Sequence, residues 1–79
     1  MKKLLAEMIG WYGVLAILLA YALVSFNVIV SNDIIYQLLN FTGALGIVVI
    51  SLIKKAYQPA TLNIIWAIIA LIALLIIVF

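Results

Sequence analysis

The fold is decided by one stretch of the chain, residues 34–53, which reads IIYQLLNFTGALGIVVISLI. An α-helix rises about 1.5 Å per residue, so this stretch covers about 30 Å, the thickness of the hydrocarbon core of a bilayer. An asparagine, a pair of glycines and a serine interrupt the apolar run, and two lysines follow it. A helix of this length and composition predicts an integral membrane protein.

The composition of the whole chain supports this class. Its 79 residues are 72% hydrophobic, with a mean hydropathy of +1.55, which is far above the range of globular domains. The chain has no cysteine and no histidine, which excludes disulfides, thiolate chemistry and the common zinc sites. Its two carboxylates, Glu7 and Asp33, are too far apart in sequence to suggest an acid/base pair. We therefore expect no enzymatic activity, no cofactor, no metal and no nucleic-acid partner.

Two further apolar runs flank the central one. The predicted spans are residues 8–30, 34–53 and 60–79, which make a single transmembrane domain, 1–79, of the all-α class: a three-helix bundle. Asp33 is suited to cap the second helix, and Pro59 is suited to the first turn of the third. Residues 20–22 could also form a signal-peptide cleavage site, but the long run and the two later spans favour an uncleaved helix.

The orientation follows from the lysines. Lys2 and Lys3 precede the first span and Lys54 and Lys55 follow the second, whereas the first loop contains only Asp33. The positive-inside rule then predicts a cytoplasmic N-terminus, an external C-terminus and four lysines that act as topology anchors, in a bacterial inner membrane. An alternative role for the lysines is specific binding of anionic lipid head groups.

Each predicted helix carries a stripe of small residues. Such stripes allow neighbouring helices to approach closely, within one chain or between two chains, so a homodimer is expected. The third helix is predicted to be the middle helix because its alanines repeat along one face. The helix-packing residues are Gly10, Gly13, Gly43, Gly46, Ala67 and Ala70.

Polar side chains are predicted to lie in two layers of the bilayer. Counting from the helix ends places Tyr21 level with Asn40 in an outer layer, and Ser51 level with Asn63 in an inner layer. These groups either bond helices together or line a path for a small, uncharged polar solute. The candidate path residues are Tyr21, Gln37, Asn40, Ser51, Asn63 and Trp66.

Residues 9–13, Ile-Gly-Trp-Tyr-Gly, together with a turn containing Pro59 and an early Asn63 in the third span, resemble the SemiSWEET half-transporters of the PQ-loop group. The resemblance implies a three-helix bundle that pairs as a parallel dimer around a sugar path, with Asn63 as a substrate contact. Leu23-Val24 stands where that group has proline and glutamine.

Other strings are similar to a family of small bacterial inner-membrane proteins with no assigned activity. These are residues 36–40, residues 43–46, and residues 62–64 with Trp66. This second resemblance implies the fold alone. The leading functional hypothesis is a half-size transporter or facilitator of a small polar solute, working as a homodimer by alternating access. The alternatives are a non-transporting structural or accessory membrane subunit and a phage-type pore former.

Overall fold

A computed structural model describes residues 2–79 and contains three helices. These are α1 (Lys2–Ser25), α2 (Ile34–Ile53) and α3 (Tyr57–Val78). Each helix is long and apolar enough to cross a membrane, and the described residues contain no strand. The predicted all-α, three-span class is confirmed, and the three spans indicate a multi-pass membrane protein.

Helix α2 is the middle helix. It packs against both α1 and α3, whereas within residues 2–79 the two outer helices make no contact with each other. The prediction that the third helix lies in the middle was therefore wrong. The physical reason is that α2 alone carries small or polar residues on two adjacent faces. Gly43 and Gly46 face α1, and Asn40 continues into a second buried stripe that faces α3.

The contact between α1 and α2 brings their backbones together. A Cβ atom added to Gly13 would lie 2.9 Å from the backbone nitrogen of Ile47, and one added to Gly46 would lie 2.6 Å from the carbonyl oxygen of Ile9. Neither position leaves room for a methyl group. The glycines therefore set the distance between these helices, as expected of small residues in a membrane interface.

Helix α1 begins and ends earlier than the predicted span of residues 8–30. Asn27 adopts a left-handed conformation with φ of 62°. The N–H of Val28 donates to the carbonyl of Leu23 at 2.9 Å, and the N–H of Asn27 donates to that of Val24 at 3.1 Å. This is a Schellman motif, in which asparagine tolerates the left-handed position better than most residues. It ends the helix although every residue from Phe26 to Val30 except Asn27 is apolar.

The ends of α2 match the predicted bounds of residues 34–53. The carboxylate of Asp33 accepts the N–H of Ile35 at 2.8 Å, which confirms the predicted cap. At the other end Lys55 has a φ of 57°, and the N–H of Ala56 donates to the carbonyl of Ser51 at 2.8 Å. Helix α3 begins at Tyr57, three residues before the predicted start of the third span at residue 60, and Pro59 lies in its first turn as predicted.

The glycine contact gives the first testable prediction. Gly13→Ala is expected to lower the free energy of unfolding by about 1–3 kcal/mol, because the new methyl group meets the backbone of α2 rather than a side chain that can move. The measurement is unfolding in micelles, followed by far-ultraviolet circular dichroism. Leu15→Ala is the control, because Leu15 is exposed on the same helix. A loss no larger than that of the control would contradict the prediction.

Candidate functional site

A cleft between α2 and α3 gathers polar side chains from the first two turns of α2 and from α3. It has a volume of about 140 Å³ and lies in the half of the bundle nearer to the start of α2. Asn40, about 10 Å along α2 from its first residue, is only 5% exposed. We call this the amide–indole cleft. Its lining residues are Tyr36, Gln37, Asn40, Trp66, Ile69 and Ala70.

A hydrogen bond joins the two helices at the cleft. The indole nitrogen Nε1 of Trp66 donates to Oδ1 of Asn40 at a distance of 3.3 Å. Both residues were candidates from the sequence, and the structure brings them together. Trp66 is exposed, at 44%, and its side chain contributes to the lining of the cleft.

Part of the hydrogen-bonding capacity of the cleft is unused by the fold. Within residues 2–79, no side chain or backbone group pairs with Nδ2 of Asn40 or with the hydroxyl of Tyr36. No fully buried side-chain polar atom in that range lacks a partner, so these two groups reach open space. Gln37 differs, because its Nε2 donates to the carbonyl of Ser31 at 2.8 Å and ties the first loop to α2.

Ser51 and Asn63, the two residues of the predicted inner layer, are both buried but do not bond to each other. Nδ2 of Asn63 donates to the carbonyl of Pro59 at 2.9 Å, a contact inside the first turns of α3. Ser51 is buried on α2, and no hydrogen bond connects it to Asn63 among the described residues. Neither residue lines the amide–indole cleft. Ala67 and Ala70 are buried on α3, and Ala44 is fully buried on α2.

Tyr21 lies apart from the other candidates. It is 70% exposed on α1 and is not among the residues that line the cleft with Asn40. Counting residues predicts its depth, but depth does not determine the direction in which a side chain leaves its helix. Tyr21 therefore does not line the cleft with Asn40, and its position in an outer layer level with Asn40 stays a prediction.

A second polar contact was missed by the sequence analysis. The hydroxyl of Tyr12 lies 2.7 Å from Oγ1 of Thr42, and Thr42 in turn donates to the carbonyl of Leu38 at 2.8 Å. Thr42 has one hydroxyl proton, which goes to Leu38, so Tyr12 is the donor of the first bond. The signal in the sequence was a threonine beside Gly43, on the face that meets α1.

The four lysines lie at one end of the bundle, because α1 and α2 are antiparallel. We call it the lysine end. There Nζ of Lys54 forms an ion pair with the carboxylate of Glu7 at 2.7 Å. Both side chains are partly exposed, and the pair links the start of α1 to the end of α2.

Comparison with known proteins identifies a family and no activity. Residues 6–79 match the model of one protein family, and that family is uncharacterised. The chain belongs to this family. It matches no model of the SemiSWEET or PQ-loop families, so that resemblance gains no support. No curated protein and no solved structure matches the chain. These comparisons therefore assign no activity, and a functional proposal has to be argued from the geometry of the chain.

The bond between Asn40 and Trp66 gives the second prediction. Trp66→Phe is expected to lower the free energy of unfolding by about 1 kcal/mol, because the carbonyl of the buried amide loses its donor. Trp11→Phe is the matched control, since Trp11 is exposed and makes no side-chain hydrogen bond within residues 2–79. Unfolding of both variants in micelles is compared with and without Asn40→Leu. Equal losses for Trp66→Phe in the two backgrounds would contradict the coupling.

Proposed function

We propose that the protein is a half-size transporter or facilitator of a small, uncharged polar solute, and that it acts as a homodimer. The observation that carries the proposal is the amide–indole cleft, which holds the unpaired N–H₂ group of Asn40, about 10 Å along α2, and the unpaired phenol of Tyr36 in the first turn of that helix. Hydrocarbon chains offer the amide no hydrogen bonds. Water, a solute or a second protein chain would have to supply them.

The size and chemistry of the cleft indicate the class of solute. Its volume of about 140 Å³ leaves room for a small molecule. The amide of Asn40, the hydroxyl of Tyr36 and the face of Trp66 are neutral, and among residues 2–79 no ionisable acid or base other than this tyrosine lines the cleft. A neutral molecule with hydroxyl or amide groups fits this lining better than an ion.

A single chain does not enclose such a solute. The cleft is open on one side, and α1 and α3 do not meet to close a bundle around it. In a twofold dimer the same surface of each chain faces its copy, so two clefts would face each other across a shared space. Movement of the two chains against each other would then expose this space to either side of the membrane in turn.

A second candidate function is a structural or accessory membrane subunit. The observation that favours it is that both buried amides already have partners in the chain. Asn40 accepts a hydrogen bond from Trp66, and Asn63 donates one to the carbonyl of Pro59. On this hypothesis the amides stabilise the packing of α3, and their replacement changes stability or assembly alone.

Solute flux into proteoliposomes separates the two functions. We expect saturable uptake of at least one member of a panel of sugars, polyols and amides, and a loss of roughly tenfold in Asn40→Leu, the effect of about one lost hydrogen bond to the solute. Tyr21→Phe is the matched control, because it removes a polar group that lies outside the cleft. Vesicles no leakier than protein-free ones across the panel would contradict transport and favour the accessory role.

A further inference from the structure

We propose that a groove between α1 and α2 at the lysine end binds one anionic phospholipid. The groove has a volume of about 390 Å³ and is lined by Lys3, Glu7, Ile50, Ile53 and Lys54. It combines cationic side chains at the membrane edge with an apolar wall. We call it the lysine groove. It lies at the opposite end of α2 from Asn40, so this proposal is independent of the transport proposal.

The charges of the lysine groove fit a single phosphodiester. Two of its side chains are lysines and one is a glutamate, which leaves one positive charge. Lys54 is held in place by its 2.7 Å ion pair with Glu7. Lys3 has no such partner within the described chain, because the other acidic side chain, Asp33, caps α2 at the opposite end. A phosphate with one negative charge can therefore bind Lys3 and complete the neutralisation of the groove.

The same charges select among lipid head groups. A phosphatidylcholine or phosphatidylethanolamine head group brings its own cation along with the phosphate. That cation finds no free carboxylate in the groove, because Glu7 is already bound to Lys54, and it adds a positive charge beside Lys3. A phosphatidylglycerol head group has no cation, so its net charge matches the groove.

The apolar wall distinguishes a lipid from a free phosphate ion. Ile50 and Ile53 line the groove beside the charged residues and lie in the last turn of α2. An acyl chain that continues from a phosphate bound at Lys3 can pack along these side chains. Inorganic phosphate makes no such contact, and it should not compete effectively with a lipid that does.

Native mass spectrometry of the protein released from nanodiscs tests this proposal. The nanodiscs contain equal amounts of phosphatidylglycerol and phosphatidylcholine. We expect one retained phosphatidylglycerol per chain, and about a fivefold lower retained fraction in Lys3→Gln, the factor that one lysine contributes at an anionic lipid surface. Lys2→Gln is the matched control, because it removes the same charge from the neighbouring residue, which does not line the groove.

Three outcomes would overturn the proposal. Equal losses in Lys2→Gln and Lys3→Gln would indicate general attraction to the membrane surface instead of a site. Equal retention of the two lipids would contradict the charge argument. Displacement of the bound lipid by millimolar inorganic phosphate would indicate a phosphate site without a lipid tail. Far-ultraviolet circular dichroism of both variants checks that each is folded, so that a loss in one variant alone reports binding.

Discussion

Helices α1 and α2 touch backbone to backbone at Gly13, Gly43 and Gly46, and the arrangement of the other elements depends on this contact. In a bilayer, apolar side chains gain little by leaving lipid for protein, so close packing and hydrogen bonds must hold helices together. The glycines permit that packing on one face of α2. The adjacent face is left for α3, and α2 becomes the shared helix of the fold.

The second face of α2 carries the polar groups because they cannot be turned toward lipid. Asn40 meets the indole of Trp66, and the alanines of α3 pack against the same stripe. This arrangement stabilises α3 and also leaves the N–H₂ group of Asn40 open to a cleft. One surface can therefore hold helices together and offer hydrogen bonds to a solute or a second chain. The transport and accessory hypotheses differ in whether that remaining capacity is used.

The sequence predicted the number of spans, the bounds of α2 and the cap at Asp33, since these follow from hydropathy, length and local hydrogen bonding. Prediction from the sequence failed where hydropathy is nearly uniform. The apolar residues after Ser25 do not show that α1 ends there. The one local signal was Asn27, an asparagine that adopts a left-handed conformation in the structure. Neighbouring helices were also misassigned, because the rotation of each helix depends on packing. Counting residues for depth consequently made Tyr21 a candidate beside Asn40, but Tyr21 is exposed on α1 and does not line the cleft.

The central position of α2 is tested most directly by cysteine pairs, since the chain has no native cysteine. The pair Tyr12→Cys and Thr42→Cys places one cysteine on α1 and one on α2 at an observed contact. The pair Ala20→Cys and Ala67→Cys places one cysteine on α1 and one on α3. A short bifunctional maleimide is applied in membranes, and products within one chain are separated from dimers on a denaturing gel. If α2 lies between α1 and α3, the first pair crosslinks within one chain and the second does not. Efficient crosslinking of the second pair within one chain, with none in the first, would contradict the central position of α2.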